Sequence, residues 1–176
     1  LTSLAVADAF PDLVRSVTLV DVTPGVNARK SSTISAFING PETFADFDTL
    51  LERTIRYNPT RTVSALRRGI LHNAMQLEDG TWRWRYARLG GANFADFAPL
   101  WDAISRLEAP LCVARGMRPQ SVMDDADEAE VLRRQPSARI EHFAEAGHSV
   151  QGDTPVELAR LIADFTGLKD TETVGR

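Results

Sequence analysis

An α/β fold on a short parallel sheet is predicted by three features of the sequence. Three segments of strand length, the apolar SVTLVD (residues 16–21) and PLCVAR (110–115) and the mixed ARIEHF (138–143), stand apart along the chain. Helical patterns precede the first run, fill a long stretch after it and follow each of the other two. Each run also ends in a polar or glycine-containing loop, at Asp21, at Gly116 and at Gly147-His148. Alternating strands and helices call for parallel pairing with right-handed crossovers. Parallel strands carry their functional loops at their C-terminal ends, so these three loops are expected along one edge of the sheet.

The elements follow in order. Residues 1–10 are Ala-rich and apolar, a helix with no capping side chain ahead of it. A chain that opens on Leu1, inside a helix pattern, is expected to be processed, begun at an unusual start codon, or partial. Pro11 and Asp12 end that helix, the strand 16–21 follows, and Thr23-Pro24-Gly25 is loop. From residue 27 to 107 the texture becomes helical, with helices expected over 31–38, 41–56, 61–76 and 97–107. Pro41 suits a first helical position. Asp79-Gly80 is a hairpin-type turn ahead of a short strand in TWRWRY (81–86), and Gly90-Gly91 is a joint. Strand character returns at 110–115. Residues 124–134 form a helix with acids early and arginines late, as the helix dipole prefers. After the strand 138–143, Thr154-Pro155-Val156-Glu157 reads as a capping box opening a helix over 155–165 that Gly167 stops. The chain therefore divides into a first part of the α/β core (1–26), a helical insertion (27–107), a second part of the core (108–168) and a polar tail (169–176).

Composition narrows the function classes. A length of 176 residues with 43% apolar residues suffices for a real core. With 20 basic and 24 acidic residues the net charge is −4, which leaves no electrostatic footprint for nucleic acid and favours a small-molecule substrate or a protein partner. Cys112 is the one cysteine, so no internal disulfide can form and a reducing, cytoplasmic setting is expected. No apolar run reaches the ~20 residues of a membrane span, and no signal peptide is evident.

Three histidines are candidates for chemistry. His142 lies within a strand and His72 within a helix, where packing explains a histidine well, although His72 could also face a pocket. His148 follows a strand by a short glycine loop and precedes a helix, which puts it on the functional edge. The string Gly147-His148-Ser149-Val150-Gln151 nearly matches the nucleophile pattern G-x-S-x-G. Ser149 does not fit that role, because Gln151 is too large for the tight turn and the capped helix begins later, at Thr154.

The strings FPDLVRSVTLVDVTPG, APLCVARG and ARIEHFAEAGHSVQGDTPVELARLIADF resemble, in this order, the parts of an α/β hydrolase that follow its nucleophile elbow. The fold so implied is the C-terminal portion of an α/β-hydrolase fold, with three parallel strands, flanking helices and an inserted helical lid. The resemblance makes His148 the general base and implies no cofactor and no metal. It places the nucleophile, Ser or Asp, upstream of Leu1, so this chain alone is expected to be inactive. The family's usual acid follows the strand PLCVAR, and Gln120 occupies that place here. The acid is then Asp21, as in haloalkane dehalogenases, or Asp124 or Asp125, which also suit helix capping. In the lid, His72, Trp82, Trp84 and Trp101 are the candidates to line a substrate pocket, with Phe44 and Phe47 adding apolar surface. Arg67, Arg68, Arg83 and Arg85 are candidates to meet an anionic group. Two readings follow: a hydrolase of an ester or related small-molecule bond, or a non-catalytic relative that binds a ligand or partner. A sheet of three strands also leaves an open edge through which a homo-oligomer could form.

Overall fold

The computed structural model describes residues 1–26, 29–86 and 96–168. In chain order the elements are α1 (Thr2–Ala9), a 3-10 turn (Pro11–Leu13), β1 (Val17–Val20), α2 (Ser32–Ile38), β2 (Thr43–Phe44), α3 (Phe47–Tyr57), α4 (Val63–Asn73), β3 (Ala74–Gln76), β4 (Trp82–Trp84), α5 (Leu100–Arg106), β5 (Leu111–Gly116), α6 (Asp125–Arg134), β6 (Arg139–Phe143), α7 (Val150–Asp153) and α8 (Pro155–Thr166). They fall into two units, one holding residues 1–26 and 96 onwards, the other 27–95.

The first unit is built on a parallel sheet of order β1-β5-β6. Val17 pairs with Leu111 and Val20 with Ala114, and Cys112 pairs with Arg139 and Gly116 with Phe143. All six residues of β5 are buried, as expected of a central strand covered on both faces. The alternation along β5 sorts the core into two layers. Leu111 and Val113 pack with Leu4 and Ala7 of α1, Ile104 of α5 and Val131 of α6. Cys112 and Ala114 point the other way, to Val150 of α7 and Leu158 and Leu161 of α8. Burial pushes the Cys112 thiol pKa up, so it acts as a small apolar residue rather than a nucleophile.

The second unit packs α3 and α4 against a small antiparallel sheet of order β2-β4-β3. Phe44, Leu50, Leu51, Leu66, Ile70 and Ala74 form its core, with Phe47, Trp82 and Trp84 against it. The Asp79-Gly80 turn joins β3 to β4 as expected. Gly80 takes φ +86°, and the Asp79 carboxylate accepts the N–H and hydroxyl of Thr81.

Several expectations are corrected here. The helix expected from Pro41 begins at Phe47, because the Asp46 side chain accepts the Thr49 N–H and caps it there, while 43–44 pair with β4. The helix expected to run to residue 76 stops at Asn73, since Ala74, Met75 and Gln76 are drawn into pairing with β4. The helix expected over 97–107 shortens to α5 and packs on α1 in the first unit, so the insertion ends near residue 95 rather than 107. The Thr154 hydroxyl does not cap α8. It bonds the Val150 carbonyl of α7, the short helix immediately before it. Gly90-Gly91 and the tail 169–176 lie outside the described residues.

Among the described residues no helix is long and apolar enough to cross a membrane. No group of three or more His, Cys, Asp or Glu side chains among them could hold a metal ion.

Candidate active site

The three loops at the C-terminal ends of β1, β5 and β6 meet. Asp21 is the first residue beyond β1. Its N–H donates to the Ala114 carbonyl at 2.8 Å, and its φ of +47° is left-handed, a conformation that Asp tolerates better than most side chains. The carboxylate is completely buried. Its Oδ1 accepts the Gly116 N–H at 3.0 Å and the Ser121 hydroxyl at 2.6 Å. Its Oδ2 accepts the Val122 N–H at 3.0 Å and lies 3.1 Å from Nδ1 of His148. A buried carboxylate left without donors would be costly. Here every polar demand is met by the end of β5 and the loop that follows it.

His148 is held by a loop that leaves β6 at Phe143. The Ala146 N–H returns to the Phe143 carbonyl, and the Gly147 N–H donates to the Asp153 carboxylate at 2.9 Å. The neighbouring loop is stitched to it by Met117 N–H to the Phe143 carbonyl and Arg118 N–H to the Ala146 carbonyl. Arg118 also pairs with Glu145. Val150, buried in the second core layer, anchors the far end of the loop. The His148 side chain is 38% exposed. Its Nδ1 faces an acceptor-only carboxylate, so that nitrogen carries the proton and Nε2 keeps its lone pair. Nε2 has no hydrogen-bond partner among the described residues.

Two glycines let the loops approach this closely. A Cβ at Gly116 would overlap the carbonyl oxygen of Gly147 and stand 2.9 Å from that of Ala146. A Cβ at Gly147 would stand 2.8 Å from Cβ of Gln120. The obstacles at Gly116 are backbone atoms that cannot rotate away. Gly116→Ala is therefore expected to lower stability by about 3 kcal/mol, the upper end of overpacking costs, and to displace His148. Chemical denaturation and the His148 imidazole resonance check both effects.

The other predicted site residues are placed elsewhere. Asp124 is the N-cap of α6: its carboxylate accepts the Asp127 N–H, and Asp127 reciprocates in a capping box. Asp125 is ion-paired with Arg115 at 2.7 Å. Gln120 is exposed and makes no hydrogen bond to His148. His72 is exposed on the last turn of α4. Trp82 and Trp84 pack on the core of the second unit, whereas Trp101 packs on the first layer of the first unit beside Arg134. Gly116 was expected on this edge as a strand end, but Ser121 and the amide of Val122 were not singled out by sequence. Ser121 lies 100 residues from Asp21, and nothing local marks their meeting.

His142 belongs to a separate network. Its Nε2 lies 2.7 Å from Glu128, which also binds the mostly buried Arg115. Burial pushes the Glu128 carboxyl pKa up, but bonds from Arg115 and His142 outweigh this and hold it below its ordinary value of 4.5. A depressed carboxyl contributes stability above its unfolded value and loses it as pH falls through the folded one. Tm is thus expected to drop as pH goes below 4.5, with a shallower drop in Glu128→Gln, as read by thermal melts across the acid range.

No family model matches the chain. It is 39% identical over 175 residues to esterase Rv0045c of Mycobacterium tuberculosis, covering 93% of this chain and 57% of that protein. Two crystal structures of that esterase superpose with TM-scores of 0.75 and 0.78 at 37% and 36% identity, over 93% of this chain and 57% and 58% of theirs. E-2-(acetamidomethylene)succinate hydrolase shares the fold with a TM-score of 0.78 at 24% identity, over 94% of this chain and 62% of its own. The chain thus spans a little over half the length of the relatives it matches. With three parallel strands in the order β1-β5-β6, helices on both faces and these relatives, the chain has the α/β-hydrolase fold and corresponds to its C-terminal part.

Proposed function

We propose that this chain supplies the acid–base half of an esterase-type active site, with His148 as general base and Asp21 as its acid. The observation that carries the reading is the 3.1 Å contact between His148 Nδ1 and a wholly buried carboxylate, with Nε2 left unpartnered. In this mechanism Nε2 takes the proton of a nucleophile as it attacks the ester carbonyl. Asp21 stabilises the imidazolium that forms. The same proton is then given to the departing alcohol, and His148 next activates the water that releases the acid. The nucleophile, a serine hydroxyl in this mechanism, and the oxyanion-binding groups come from sequence outside these 176 residues; an Asp there would instead imply dehalogenase-like or epoxide-hydrolase-like chemistry. The similarity to an esterase supports a small ester as substrate, with no cofactor. The helical insertion is read as the counterpart of the family's lid, and a cytoplasmic setting fits the lone Cys112.

Hydrolysis of an activated p-nitrophenyl ester tests the reading. The 176-residue chain is expected to show none, and a form extended through its upstream coding sequence is expected to turn over. Hydrolysis by the 176-residue chain that His148→Ala abolishes would contradict an external nucleophile. An inactive extended form would leave a non-catalytic relative that binds a ligand.

A further inference from the structure

We propose that Ser121 is the positioning residue of the acid–base pair, holding the Asp21 carboxylate in the one rotation that presents Oδ2 to His148. The inference rests on the reading of Asp21 and His148 as that pair. Three observations carry it. The Ser121 hydroxyl makes the shortest of the four contacts to the carboxylate, 2.6 Å to Oδ1. That hydroxyl is itself oriented, because it accepts the Met123 N–H at 3.1 Å. Its single proton has a second acceptor in the Met123 carbonyl at 3.1 Å, but a shorter bond to an ionised oxygen wins. Finally, Ser121 lies in the loop between β5 and α6, 100 residues along the chain from the carboxylate it holds, and that loop also supplies the Val122 N–H to the same carboxylate.

The geometry explains why one hydroxyl matters. The terminal torsion of an Asp side chain is broad, without sharp staggered wells. The carboxylate plane is therefore set by its partners. The Val122 and Gly116 amides fix one point on each oxygen. Ser121 adds the shortest bond to Oδ1 and so holds the carboxylate against turning about its Cβ–Cγ bond, the rotation that moves Oδ2. Without it Oδ2 swings off the axis of the His148 ring, and Nδ1 loses its acceptor although both residues remain in place.

The test reads the pair directly. In the 176-residue chain the His148 Nδ1 proton, followed by nitrogen-15-labelled NMR, is expected to give a hydrogen-bonded resonance. Ser121→Ala is expected to lose it through exchange, Ser121→Thr to keep it and Asp21→Asn to lose it. In the extended, ester-hydrolysing form Ser121→Ala is expected to lower kcat on the order of ten- to a hundredfold, as small misplacements do, with KM unchanged. The double variant Asp21→Asn, Ser121→Ala is expected to be no slower than Asp21→Asn alone, since the two act as one unit. A Nδ1 resonance and kcat unmoved by Ser121→Ala, or additive losses in the double variant, would overturn the proposal. Should Ser121→Ala fail to fold, Ser121→Cys, of similar size but a weak donor, carries the same readouts. If Ser121→Ala releases the resonance while no extended form hydrolyses an ester, the positioning stands and the hydrolytic reading falls. If hydrolysis needs His148 but not Ser121, the reverse holds.

Discussion

His148→Ala, placed in a form of the protein that hydrolyses esters, is expected to lower kcat on the order of 10⁵- to 10⁶-fold, the scale seen when a nucleophile loses its base. The expectation follows from how the imidazole is held. Nδ1 is tied to a buried carboxylate, so the ring has one tautomer and one orientation, and the unpartnered Nε2 is the only atom left to handle a substrate proton. No second base stands in reserve. His142 is bound to Glu128 in the Arg115 network, and His72 is exposed on α4. The loss should fall on kcat with little change in KM, because the ring stabilises the transition state rather than the bound ester. Folding should be nearly unaffected, since His148 contributes one part-buried hydrogen bond. Steady-state kinetics with a thermal melt on the same sample separates the two effects.

Asp21→Asn is expected to cost about 10⁴-fold in kcat, the scale known when the acid of a triad becomes an amide. An amide offers Nδ1 either a neutral oxygen or a competing N–H, so it stabilises the imidazolium poorly and can favour the wrong tautomer. A second penalty is specific to this site. Both oxygens of Asp21 accept backbone N–H groups, from Gly116 and from Val122. Turning either oxygen into an NH2 sets donor against donor at a fully buried position, which leaves buried groups unpaired at about 1–3 kcal/mol. Asp21→Asn should therefore lose stability as well as rate, whereas His148→Ala should lose rate alone.

The sheet was legible because its central strand, β5, is buried on both faces and appears as an unbroken apolar run, while β1 and β6 are short segments bounded by loops and helical patterns. Residues 17–20, 111–116 and 139–143 fall within a residue or so of the runs that announced them. The functional edge was legible for the same reason, since strand direction alone puts Asp21, Gly116 and His148 together. Which carboxylate meets His148 was not. Asp21 and Asp124 both stand at the end of an element, and only the contacts show Asp124 committed to the first turn of α6 while Asp21 reaches the imidazole. Ser121 and the Val122 amide are invisible in sequence because their roles depend on a partner about a hundred residues away. In the second unit, β2 and β3 are two and three residues long, and their form is decided by pairing with β4 rather than by local pattern.

The account is tested most directly by measuring kcat for one activated ester in Asp21→Asn and Asp124→Asn, side by side, in a folded, ester-hydrolysing form of the protein. The Asp21–His148 assignment predicts a loss of about four orders of magnitude for Asp21→Asn and near-full turnover for Asp124→Asn, whose amide can still cap α6. The reverse ranking, in two variants that are both fully folded at the assay temperature, would move the acid to the loop after β5 and contradict the assignment.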